Sequence, residues 1–66
     1  MKIADFTQPE IDYLKENCNF VNFEIPLFDM RSKGMTLEVI ADKLNISIDY
    51  ARKISQKVNR KIIKVL

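Results

Sequence analysis

Histidine and tryptophan are absent from this chain, cysteine and glycine occur once each, and proline twice. Each shortage closes a class of function. With no histidine and only Cys18, the common zinc-ligand sets and the Ser-His and Cys-His nucleophile pairs cannot be assembled. One thiol makes no internal disulfide, so nothing calls for an oxidising compartment and a cytoplasmic location is expected. Its spacing from Ile11 and Leu14 makes Cys18 a core residue. The lone Gly34 rules out a glycine-rich phosphate loop. No carboxylate is marked out by its neighbours as an acid or base, so neither an enzyme nor a bound cofactor is expected. No apolar run approaches the ~18 residues of a membrane span, and no signal-peptide pattern opens the chain, so the expectation is a soluble protein without a membrane partner.

What remains is enough for one small domain covering residues 1–66. A chain this short buries only ~60% of the surface it exposes when unfolded. Hydrophobic residues are 47% of the total and charged residues 30%, the balance of a globular chain. Turn chemistry for hairpins is missing, including any Asn-Gly pair, so an all-α domain of four to five helices is expected.

Local signals place those helices. Thr7-Gln8-Pro9-Glu10 reads as a capping box with proline in the first turn, and Phe6 and Ile11 suit a hydrophobic staple. That helix should end near Asn17 to Asn19. A second should begin between Asn22 and Glu24, hold Pro26 in its first turn, and run to about Lys33, where Gly34 supplies a left-handed stop. Phe20, Phe23, Leu27, Phe28 and Met30 are its expected core bulk, with Met30 and Met35 as gap-fillers. Thr36 caps a short third helix, Leu37 to Leu44. Asn45 suits a left-handed turn, and Ser47 caps a fourth helix from Ile48 to near Leu66.

Residues from Leu37 to Lys57 have the apolar spacing of a helix-turn-helix. Ile40, Ala41 and Leu44 line one short helix, Ile46 plugs the turn, and Ala51 and Ile54 face back from the next. Two helices crossing steeply through a three-residue turn require a small residue at the crossing, an apolar plug and a left-handed position. An ordinary helical hairpin is the plainer alternative.

Charge sharpens the choice. Residues 1–33 carry four bases against six acids, net −2, while residues 34–66 carry seven bases against three acids, net +4. After Asp49 there is no acid at all. On a helical wheel with Arg52 at zero and a step of about 100°, Asp49, Tyr50, Lys53, Gln56, Lys57, Arg60, Lys61 and Lys64 share its half. Ala51, Ile54, Val58, Ile62 and Val65 form the opposite, apolar stripe. Ile63 is isolated on the polar arc, as an exposed apolar residue or part of a partner interface. A solvated face usually mixes charge signs. A face that is almost purely basic suits the phosphates and base edges of a major groove.

The stretch Glu38-Val39-Ile40-Ala41-Asp42-Lys43-Leu44-Asn45-Ile46-Ser47, followed by Ala51-Arg52-Lys53-Ile54, Lys57 and Arg60-Lys61-Ile62, resembles region four of bacterial primary sigma factors. Less closely, it resembles the C-terminal domains of LuxR-type regulators. The resemblance covers Thr36 to about Ile62 and implies a small free-standing transcription regulator of a phage or bacterial mobile element. Double-stranded DNA is its implied partner, with the helix-turn-helix proper at about 36–57 and the recognition helix at about 48–66. The match gives DNA-facing roles to Ser47, Asp49, Tyr50, Arg52, Lys53, Gln56 and Lys57. Thr36 joins that set, and Arg60, Lys61 and Lys64 follow as backbone contacts. Tyr50 suits a phosphate, a thymine methyl group or simple cover for the turn. RNA polymerase or another regulator is a possible second partner, and a homodimer would present two recognition helices. The rival reading is a protein-interaction module that docks on the transcription machinery, or another partner, through its acidic first half.

Overall fold

A computed structural model describes residues 2–66. The described residues are helical, without a β-strand. Helices α1 (Gln8–Asn17), α2 (Glu24–Ser32), α3 (Leu37–Leu44) and α4 (Ile48–Val65) follow a short 3-10 turn at Ile3–Asp5. Nothing in the local sequence had announced that turn; it sets Ile3 into the core against α2.

Each boundary has a local cause. Glu10 Oε1 accepts from the Thr7 backbone N–H at 2.8 Å and from its hydroxyl at 3.1 Å, which fixes the start of α1. Pro26 falls in the first turn of α2, where no intrahelical N–H is needed. Gly34, at φ 85°, ends the segment as the N–H of Met35 reaches back to the Met30 carbonyl at 3.2 Å. Thr36 and Ser47 cap α3 and α4 by accepting from the N–H groups of Val39 at 3.3 Å and Tyr50 at 3.1 Å.

Asn45 closes α3 in the left-handed region at φ 58°, and the Ile46 N–H reaches the Ala41 carbonyl at 3.0 Å. A β-carbon without the asparagine amide is strained there, so Asn45→Ala should cost about 1 kcal/mol, with Asn45→Gly close to neutral. Urea denaturation of the two variants side by side checks this. Equal losses in both would mean that the turn depends on the amide, not on the backbone angle.

Helix α4 is the spine. Eighteen residues at 1.5 Å rise make it about 27 Å long, close to the 29 Å long axis of the whole molecule. Helices α1, α2 and α3 all pack on it, and α2 also touches α3. Its inward stripe is Ala51, Ile54, Val58 and Ile62, all buried, with Val65 half-buried at the end. Ile54, Val58 and Ile62 meet Ile11 and Leu14 from α1, Cys18 at its C-cap, Leu27 and Phe28 from α2, and Ile40 from α3. Phe20 packs on Phe28 with centroids 4.8 Å apart and planes tilted by 35°. Leu44 and Ile46 are half-buried against this core, and Ala41 is buried.

Phe23 does not enter the core; it is 36% exposed and meets Tyr50 at the surface. The stripe of α2 that faces inward is Glu24, Leu27 and Phe28, at spacings of three and four residues from Glu24. Phe23, the N-cap residue one step earlier, lies about 100° around the helix from Glu24 and outside the stripe.

Candidate nucleic-acid interface

The outward face of α4 gathers most of the residues expected to bind DNA. Asp49, Tyr50, Arg52, Lys53, Gln56, Lys57, Arg60 and Lys64 are all exposed, and they lie within one half of the helix circumference because the other half is occupied by the core stripe. Ser47 stands exposed at the N-cap. Its hydroxyl oxygen holds the Tyr50 N–H, and its O–H is free to donate to a phosphate. Thr36 is exposed too, but at the start of α3 and outside the α4 face, with its hydroxyl oxygen turned to Val39. Ile63 lies among the polar residues at 65% exposure.

Arg52 is 64% exposed at its side chain, and its Nη1 lies 3.6 Å from Asp49 Oδ1, one turn earlier. A surface pair of this length contributes at most about 1 kcal/mol and is weakened by salt. It is weak enough to exchange for a stronger partner, and it steers the guanidinium toward the N-terminal part of the helix.

Lys61 is placed differently from its neighbours. Its ammonium donates to the Asn19 carbonyl at 3.0 Å and forms an ion pair with Glu24, whose side chain is only 9% exposed. Glu24 Oε1 also accepts from the Val21 N–H at 3.2 Å. Burial pushes the Glu24 carboxyl up. Hydrogen bonds from Lys61 and Val21, with the charges of Lys61 and Lys57, together outweigh that and leave it below its ordinary value of 4.5. The side chain of Lys61 therefore ties the connection between α1 and α2 to α4 and does not stand free on the basic face.

That connection is the part of the surface that sequence reasoning missed. Asn19 and Asn22 both take left-handed backbone angles, φ 48° and 51°. They fold the chain so that Asn22 and Phe23 rise beside α4. Phe23 meets Tyr50 edge to face, with centroids 6.1 Å apart and planes at 89°. Between loop and helix runs a cleft of about 320 Å³, lined among others by Asn22, Phe23, Tyr50, Lys53, Lys57 and Arg60. The signal that could have found it is the α2 stripe itself, which turns Glu24 inward and so leaves Phe23 outside.

Away from this face the ion pairs converge on one acid. Asp29 meets Lys15 and Lys33, each at 3.2 Å, and hydrogen bonds from these two hold its carboxyl below the ordinary range. Burial pushes the Cys18 thiol up, partly countered by the charge of Lys61, so the thiol stays protonated in the core. Among the described residues no group of three or more acids, histidines or cysteines is placed to hold a metal ion, and no helix is long and apolar enough to cross a membrane.

The chain matches no family model, no curated protein and no solved structure. The candidate interface therefore rests on its own geometry and charge.

Proposed function

We propose that this chain binds double-stranded DNA and regulates transcription, with α3, the Asn45–Ser47 turn and α4 acting as a helix-turn-helix. The observation that carries the reading is the exposed face of α4, where Arg52, Lys53, Lys57, Arg60 and Lys64 stand with Asp49 as the single acid. A phosphate backbone rewards such a face by counterion release, and a helix of this length fits a major groove. Ser47 meets a phosphate from the N-cap. Arg52, Lys53 and Gln56 reach base edges from the first turns, and Lys57, Arg60 and Lys64 hold the backbone. Lys61 acts one step back, through the loop that it anchors.

The test is a titration against random-sequence duplex DNA at two salt concentrations. Binding should weaken steeply with salt. Arg60→Ala or Lys64→Ala should each reduce the log–log slope by about 0.9 and weaken all sequences equally. A salt-independent result, or no binding, overturns the reading. A change of sequence preference alone in either variant would place the helix wrongly in the groove.

A second reading, as a protein-docking module, is favoured by a different surface. Phe6, Pro9, Tyr13, Leu14 and Leu66 line, with Glu10, a largely apolar cleft, and Tyr13 and Leu66 are 53% and 74% exposed. A partner protein, RNA polymerase or a second copy of the chain would cover such a cleft. Binding to protein without binding to DNA would select it.

A further inference from the structure

The connection between α1 and α2 lies outside any helix-turn-helix, yet it forms one wall of the cleft whose other wall is α4. We infer that this loop belongs to the DNA interface, and that Phe23 and Tyr50 together form the contact for a thymine C5-methyl group. The inference rests on the DNA-binding reading and adds to it a specificity-determining residue, Phe23, and the base that it recognises.

Four observations carry it. First, the aromatic pair is a ridge with a different chemistry on each side. On one side is the cleft with Lys53, Lys57 and Arg60; on the other is a shallow depression lined by Asn22, Pro26 and the two rings. Thymine presents its methyl group on the major-groove edge, toward the backbone of its own strand. An apolar corner bordered by phosphate-binding bases therefore fits a thymine together with its flanking phosphates. Second, the one acid in the cleft wall is not available to repel a phosphate, because Glu24 is buried and paired with Lys61.

Third, the rings are closed on each other. At 6.1 Å and 89° the edge of one ring meets the face of the other, which leaves no parallel slot for a flat base to slide between them. A corner of this shape takes a methyl-sized group. Fourth, the loop is held in place. Lys61 fastens both the Asn19 carbonyl and Glu24, and Glu24 fastens the Val21 N–H, so the segment that carries Phe23 is fixed at both ends before any ligand arrives. Tyr50, the third residue of α4, lies where recognition helices come closest to base edges. Two rings left at 36% and 48% exposure on such a wall are an apolar surface awaiting a small apolar group.

The experiment starts from a binding-site selection with the intact protein. The selected duplex should contain at least one thymine whose replacement by uracil, which removes only the methyl group, weakens binding about fourfold, the worth of one buried methyl. Phe23→Ala should weaken the thymine duplex by the same factor and bind thymine and uracil duplexes alike, with helical circular dichroism retained. The thymine-to-uracil comparison on the unaltered protein needs no variant, so it decides even if Phe23→Ala folds poorly. If the protein binds and selects DNA but every thymine tolerates uracil, this inference fails and the DNA-binding reading stands. Tighter binding to single strands than to duplex, or selection of no sequence, also overturns it. If no DNA binds at all, both fail together.

Discussion

Lys61→Ala should destabilise the fold by about 2–3 kcal/mol, more than any other change of a single charged residue here. Removing one partner of a fully buried pair costs about 3–5 kcal/mol because the other charge is stranded. The lower figure follows from the 31% exposure that the Lys61 side chain retains. For a domain of this size the loss is a large part of a stability of about 3–5 kcal/mol. Glu24→Gln with Lys61→Met should recover most of it, since a neutral pair of similar volume strands no charge. The acid response has a definite sign. The folded Glu24 carboxyl lies below its unfolded value, so its contribution is complete above about pH 4.5 and is lost as pH falls through the folded value. Urea midpoints at pH 7 and pH 3 should thus differ less between wild type and Lys61→Ala at the lower pH. A constant gap would show that Lys61 acts by packing its aliphatic stem, not by its charge.

The second large effect concerns sequence reading. Arg52→Lys should leave non-specific DNA binding nearly intact and flatten the preference for one guanine by about 1–3 kcal/mol. Arg52 lies five residues after the Ser47 cap on the side of α4 opposite Ile54 and Val58, and packing those two inward drives it out. Its planar fork matches guanine O6 and N7 with two parallel bonds, which an ammonium group cannot make. The weak contact to Asp49 gives way to that stronger partner. Binding-site selection on both proteins, then affinities for matched and mismatched duplexes at one salt concentration, measures the change. Full preference in Arg52→Lys would reassign Arg52 to a phosphate and leave specificity to Lys53, Gln56 or Tyr50.

What could be read from sequence was what neighbours decide. Thr36, Asn45 and Ser47 fix the ends of α3 and the start of α4 through bonds spanning a few residues, and those boundaries were legible. The apolar stripe of α4 was legible for the same reason, because its period belongs to one helix. The Lys61–Glu24 pair was not, since 37 residues separate the partners. On the wheel Lys61 sits at the border between the basic arc and the core stripe, about 180° from Arg52. Periodicity alone does not say which way a long side chain at that border will bend. The bulk of Phe23 suggests burial, while the register of α2 gives the inward position to Glu24. The 3-10 turn at Ile3–Asp5 has no cap or breaker to announce it and exists through its contact with α2.

Cys18 has a use unrelated to its packing. Its thiol is 4% exposed at the C-terminal end of α1, with its S–H directed at the Lys61 carbonyl of α4 at 3.7 Å. A thiol reagent reaches it only when α1 lifts from α4 or the whole chain opens. The rate of labelling therefore reports the opening equilibrium of that helix pair at one position, without an introduced probe. Compared with the global unfolding free energy, it separates two cases. In one, the first helix is a loosely hinged flap; in the other, it unfolds only together with the rest of the chain.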